Sequence, residues 1–298
     1  MIGFSGFSST RIQTNGTELS VHSGGHGPPL ILLHGFPQNH LCWEKVVGDL
    51  AQRFRCIVPD LRGYGNSASP PDDVQHFTYS KRNMAQDIVG VMDAMGIKRG
   101  LFAGHDRGAR VAYRLALDHP ERVERVLIVE VVPTGEFWRI WNAEIALAGY
   151  HWTFLAQPAP IPETLIGGDP VFFVDRTLAS WTANGNCGAF GSEALSSYRD
   201  QMCQPERVAA MCADYRAGAT TDRKIDEADK LLRRKIDAPL KFVWSEGGFP
   251  SKAGDPLSIW RHWSRDVVGE CVPDCGHFMM EENPDGFLSA CAGFLTGE

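Results

Sequence analysis

A carboxylate in a glycine frame is the residue around which this sequence can do chemistry. Gly104-His105-Asp106-Arg107-Gly108-Ala109-Arg110 lies between the apolar run Leu101-Phe102-Ala103 and a helical pattern over residues 111–117. A small-x-nucleophile-x-small frame between strand and helix is the nucleophile elbow, a strained turn that lifts one side chain clear of a sheet. Gly104 and Gly108 suit it because strand and helix approach there too closely for a Cβ. Asp106 would stand at the start of a helix, where free N–H groups and the dipole favour the ionised carboxylate. An ionised carboxylate aimed at a cavity can form an ester with its substrate. Aspartate is also a common helix N-cap, so the chemistry rests on the company it keeps.

Two residues supply that company. Glu130 interrupts the apolar run Val126-Leu127-Ile128-Val129 and Val131-Val132, and a carboxylate at the exit of a buried strand needs a partner. His277 follows Cys275-Gly276 on a turn after a short strand. Nucleophile, acid, then histidine is the chain order of the α/β-hydrolase triad, so Asp106, Glu130 and His277 read as one set. His277 would act as general base, and Glu130 would hold the imidazole in its tautomer and stabilise its cation. Glu246 and Asp255, after a later strand, are alternative partners for the histidine. His34-Gly35-Phe36-Pro37, just past another apolar run, can offer a backbone N–H to a developing negative charge.

An alternating scaffold must bring these groups together. Residues 11–22 read as a hairpin and residues 28–33 as a buried strand of a parallel sheet. A helix is expected over 43–53, a strand over 55–59 and a helix over 79–95 closed by Gly96. The elbow helix stops at His119-Pro120, and a strand follows over 125–132. From Pro133 to about Arg234 the rhythm changes to short helices and aromatic-rich loops, read as a helical cap. A strand over 236–244, a helix over 256–263 and a last helix after Pro284 complete the chain. The expected fold is therefore α/β, a mostly parallel doubly wound sheet with an inserted helical cap. Its core would be residues 1–133 and 235–298, and its cap residues 134–234.

With 298 residues and 43% hydrophobic content, the chain can bury a large core. A net charge of -7 argues against nucleic acid or an anionic membrane as partner, so any bound anion must be held by local arginines. The start of the chain carries no basic or long apolar leader pattern, and no run is long enough to cross a bilayer, which reads as cytoplasmic. The eight cysteines have no metal or redox spacing and read as reduced, packed thiols. No cofactor and no metal is expected.

The chain resembles the haloacetate and fluoroacetate dehalogenases, a branch of the α/β-hydrolases with an aspartate nucleophile, over nearly its whole length. The likeness is carried by His34-Gly35-Phe36-Pro37, Asp60-Leu61-Arg62-Gly63-Tyr64-Gly65, residues 104–110, His151-Trp152 and Asp214-Tyr215-Arg216-Ala217-Gly218. The resemblance implies hydrolytic dehalogenation of small 2-haloacids through an aspartyl ester, and a homodimer. It also implies that His151, Trp152 and Tyr215 form the halide pocket. Arg107 and Arg110, three apart at a helix start, would project to one side beside Asp106 as a carboxylate clamp. The N–H groups of Phe36 and Arg107 would form the oxyanion site. One departure is Glu130, where members of this branch carry aspartate; its longer arm bears on rate and substrate range.

Two rivals remain. An epoxide hydrolase shares the aspartate and the His-Gly-x-Pro turn but needs lid tyrosines, and usually has tryptophan where this chain has Arg107. A non-catalytic ligand-binding protein on a silenced hydrolase scaffold would lack one of the three triad residues, all of which are present here.

Overall fold

One eight-stranded sheet organises the computed structural model, which describes residues 3–297. Met1, Ile2 and Glu298, which fall in the leader reading and at the ends of the expected core segments, lie outside the described residues. The strands are β1 (Ser8–Thr14), β2 (Thr17–Gly24), β3 (Pro29–Leu33) and β4 (Arg55–Pro59), followed by β5 (Gly100–His105), β6 (Val123–Val129), β7 (Leu240–Ser245) and β8 (Val267–Val272). Their spatial order is β1-β2-β4-β3-β5-β6-β7-β8. β2 is antiparallel to β1 and to β4, and every other pair is parallel. The doubly wound, mostly parallel sheet expected from the alternating pattern is the one observed.

Leu30, Ile31, Leu32 and Leu33 are wholly buried, as an uninterrupted apolar run in a two-sided sheet must be. Register then does the positioning. Leu33 pairs with Gly104, and His105 pairs with Val129, so β3, β5 and β6 end side by side at one edge. The turn after Leu33, the residue after His105 and the residue after Val129 all leave the sheet there. Those are His34 onward, Asp106 and Glu130.

The helix Arg107–Asp118 packs onto that sheet with every residue through Leu117 buried. It crosses close to the end of β3. A Cβ on Gly108 would lie 2.4 Å from the carbonyl oxygens of Leu33 and His34, and one on Gly104 would lie 2.6 Å from the Ala109 Cα. Both glycines are there because no larger residue fits. On its outer side the helix is tied to the helix Thr221–Leu231 by Arg114, which bonds Asp226 at 2.7 Å and also pairs with Asp229.

Between β6 and β7 the described chain forms helices and no strand, beginning with Thr134–Arg139 and ending with Thr221–Leu231. Boundaries shift by a few residues in several elements, and three of these differences from the sequence reading have a clear physical reason. The helix expected over 43–53 is a 3-10 turn, His40–Trp43, and a single turn, Val47–Leu50; Gly48 sits inside it, and burial of Trp43, Val46 and Leu50 holds the segment instead. β7 starts at Leu240, since Pro239 has no N–H for the ladder, and Ile236 keeps only a lone bridge to Ser264. β6 stops at Val129, which releases Glu130 into a left-handed conformation with φ 65°. All eight cysteines are free, and no described helix is long and apolar enough to cross a membrane.

Gly108→Ala should cost about 3 kcal/mol or more, because the clash is with backbone that cannot turn aside. A urea midpoint equal to that of the unmodified chain would contradict this close approach.

Candidate active site

Asp106 occupies the N-cap position of the elbow helix without acting as a cap. Its φ is 47° and ψ -114°, and its side chain makes no capping hydrogen bond. Such a conformation costs a non-glycine residue roughly 1–3 kcal/mol and persists only where the surroundings impose it. The carboxylate instead turns toward the sheet edge, where its Oδ1 accepts the Phe36 N–H at 2.8 Å. A Cβ on Gly35 would lie 2.4 Å from the Asp106 Cβ, so only glycine lets this turn lie across the carboxylate. His34 fixes the turn in place. Its Nε2 accepts the Leu61 N–H at 2.9 Å, which leaves Nδ1 to donate to the Gly35 carbonyl at 3.0 Å. The Arg107 N–H, the other expected oxyanion donor, heads the helix and has no acceptor within it.

His277 faces the other oxygen. Its Nε2 lies 3.9 Å from Asp106 Oδ2, and its Nδ1 lies 3.4 Å from Glu130 Oε2. Glu130 is buried, and its second oxygen accepts the Ser245 N–H. Among the three acids weighed from sequence, Glu130 is the one beside the imidazole. Glu246 is exposed, and Asp255 caps the helix Pro256–Trp263 through the Ser258 N–H at 3.1 Å. The histidine's own backbone is held from two sides: its N–H donates to Trp181 O at 2.8 Å, and its carbonyl accepts His105 Nε2 at 2.8 Å.

The electrostatics follow from this packing. Burial alone would lower the His277 pKa, but the Glu130 hydrogen bond and the Asp106 charge outweigh it and raise the imidazole above its ordinary value. Burial alone would raise Asp106, yet His277, His105 and the two nearby guanidinium groups hold it below the usual carboxylate range. Burial pushes Glu130 up, with His277 and Ser245 opposing. The set is thus an ionised nucleophile facing a basic histidine that rests on a desolvated acid.

Both arginines are buried, but they are not equivalent. The Arg107 Nε donates to Asp214 Oδ2 at 3.1 Å, and its Nη2 donates to the Asp214 carbonyl at 2.8 Å and also reaches Oδ1. Only Nη1 is without a partner. Tyr64 donates to the same Asp214 carboxylate at 2.8 Å, and Lys81 reaches it from the other side. Arg110 donates through Nη1 to Val132 O at 2.9 Å and Thr134 Oγ1 at 3.0 Å, both neutral, and its Nε has no partner. Among the described residues no carboxylate pairs with it, and burial lowers its pKa. Trp152 packs over both guanidinium groups, 5.1 Å from Arg107 and 4.6 Å from Arg110.

A cavity of about 490 Å³ opens onto Asp106, Arg110, His151, Trp152 and His277. Arg107 and Tyr215 are not on its wall, although Tyr215 packs edge-on against His151 and Trp152, with ring centroids 5.5 and 5.4 Å away. Burial pushes His151 down to about 3, so its imidazole is neutral, and the Tyr215 pKa is raised first by burial and then by the Asp106 charge. The His151 Nδ1 and the Tyr215 hydroxyl are buried without partners. Sequence reasoning did not single out Trp181, Phe137 or Phe249, which also line the cavity. Nor did it assign Asp214 its place between Lys81 and Arg107, though the motif that contains it was visible.

The α/β-hydrolase fold family matches residues 28–284. Over 98% of this chain and 95% of the relative, the sequence is 36% identical to a fluoroacetate dehalogenase from a Burkholderia species. It is 30% identical to a soluble epoxide hydrolase from a Corynebacterium species, covering 95% of each chain. A crystal structure of a candidate α/β hydrolase from Nostoc sp PCC 7120 superposes with a TM-score of 0.94 at 43% identity, covering 97% of this chain and 98% of that one.

If Glu130 is what holds the imidazole pKa up, its charge should be legible in the histidine. In Glu130→Gln the His277 titration followed by NMR should fall from above 6.5 toward or below that value, since burial then acts with less opposition. An unmoved titration would place the supporting acid elsewhere.

Proposed function

We propose a reaction for this chain, which belongs to the α/β-hydrolase family: hydrolysis of the carbon–halogen bond of small 2-halo acids through an ester on Asp106. The observation that carries this reading is the buried cation Arg110, which lines the cavity with Asp106 and is left without a carboxylate partner. A desolvated guanidinium group without an anion is costly, and a substrate carboxylate supplies one. Arg107 is off the cavity wall, and its unpartnered Nη1 would reach the same group only after the wall shifts to admit it. The 36% identical fluoroacetate dehalogenase supports the same reading.

In the first step Oδ2 of Asp106 attacks the carbon next to the held carboxylate, and the halogen leaves with the bonding pair. Oδ1 is already engaged by Phe36, so the attacking oxygen is the one that faces His277. The halide is received by N–H and O–H donors of His151, Trp152 and Tyr215. A neutral His151 suits this role as a donor that does not itself titrate near neutral pH. Residues 134–234, which supply all three, act as the cap over a core of residues 1–133 and 235–298.

In the second step a water hydrogen-bonded to His277 Nε2 beside the Asp106 carboxyl group, whose Oδ2 is 3.9 Å from that nitrogen, gives a proton to Nε2 and attacks the Asp106 carboxyl carbon. Negative charge builds on Oδ1, stabilised by the N–H groups of Phe36 and Arg107. Collapse expels the alkoxide, which takes the proton from His277. The sum is haloacid and water to 2-hydroxy acid, halide and a proton, with one aspartate oxygen replaced by one from water.

A second reading has its own observation. The buried Tyr215 hydroxyl without a partner could protonate an epoxide oxygen, and the 30% identical relative is an epoxide hydrolase. Halide release from chloroacetate, with no diol from styrene oxide, is the expected result; the reverse pattern selects the second reading. Asp106→Asn should lower halide release about 10³-fold or more, checked for deamidation back to aspartate. Arg110→Ala should raise the chloroacetate KM roughly 10- to 100-fold with a smaller change in kcat, and an unchanged KM would remove it from the site.

A further inference from the structure

The cavity is larger than a haloacetate requires. Water takes about 30 Å³ in the liquid, so an acid of about five heavy atoms fills roughly 100 Å³, a small part of the 490 Å³ observed. Cavities of that size hold molecules several times larger. Its lining is also mixed in character. Phe137, Tyr150, Trp181 and Phe249 contribute aromatic side chains, and two further cations, Arg176 and Lys252, line it as well. Arg176 comes from the helix Pro170–Trp181 and Lys252 from the turn Pro250–Ala253, so two separate elements bring positive charge to the same cavity. Neither is paired with a carboxylate among the described residues. Among the described residues the only acids on the wall, Asp106 and Glu130, both face His277. The cavity therefore combines one buried cation, Arg110, with aromatic surface and two exposed cations, Arg176 and Lys252.

We infer that the acceptable substrates include dianionic 2-halo acids, in which an apolar arm on the halogenated carbon ends in a second carboxylate held by Arg176 and Lys252. The inference rests on the haloacid reading of this same site. The reaction is unchanged: the ester forms on Asp106, halide leaves and water restores the carboxylate. Only the second carboxylate is new, and it takes no part in bond making. Arg110 holds the acid beside the reacting carbon, the aromatic side chains cover the arm, and Arg176 and Lys252 read its end.

The test compares 2-chlorohexanedioate with 2-chlorohexanoate, which differ only in the terminal carboxylate, and uses chloroacetate as the control for chemistry. The ratio of kcat/KM for dianion over monoanion should be about 10 or more and should fall to about 2 in the double variant Arg176→Gln, Lys252→Gln, roughly the fivefold loss expected for a solvent-exposed ion pair. A ratio near 1 in the unmodified enzyme overturns the inference, as does a high ratio that survives in the double variant. If chloroacetate itself releases no halide, the haloacid reading has failed, and calorimetric binding of hexanedioate against hexanoate decides the subsite alone. There, tighter binding of the diacid that is lost in the double variant supports it. Equal binding overturns it.

Discussion

The structure depends on forcing one aspartate out of helical geometry. Had Asp106 taken an ordinary N-cap conformation, its carboxylate would have folded back onto its own helix. At φ 47° it turns instead to the edge where three parallel strands end, with the Phe36 N–H on one oxygen and His277 beyond the other. What imposes the strain is close packing on both sides. Gly108 lets the helix touch the end of β3, and Gly35 lets the following turn lie over the carboxylate. The strain is therefore local, and the register of β3, β5 and β6 fixes where it falls.

Charge is arranged with the same economy. Burying a guanidinium group is tolerable only when its donors are met. Arg107 is met by Asp214, which also receives Lys81 and Tyr64, and which lies in the helix Pro205–Ala219 between β6 and β7. That cluster ties the helical insertion to the core from beneath the site. Arg110 is treated differently, held by neutral oxygens and left with positive charge toward the cavity. One arginine is structural along most of its length and the other is free to receive an anion. In the proposed reaction this division makes Arg110 the cation that meets the substrate carboxylate, with Arg107 left a single unpartnered N–H off the cavity wall, in place of a symmetrical two-arginine clamp.

Much of this was legible in the residues. The glycine spacing around Asp106 announced a close strand-to-helix turn, and the order of Asp106, Glu130 and His277 announced which groups would meet. The strand over 55–59 and the helix over 256–263 fell where apolar pattern and proline placed them. Other features were hidden for physical reasons. Helical spacing says that Arg107 and Arg110 share a side, but not that Asp214 reaches Arg107 first, because that contact spans 107 residues of chain. The aromatic wall joins Trp181, at the end of the helix Pro170–Trp181, to Phe249 in the loop after β7, and no shared sequence period links positions so far apart. Glu130 looked like a strand residue, and only the early end of β6 shows why its longer side chain still meets the imidazole.

The most direct measurement is a single turnover of chloroacetate in ¹⁸O-labelled water with enzyme in excess, followed by mass analysis of the peptide containing Asp106 and of the product. The account predicts one heavy oxygen in Asp106 and an unlabelled hydroxyl group in the glycolate. Heavy oxygen in the glycolate hydroxyl, with none in Asp106, would mean that water attacks the substrate directly, and would contradict it.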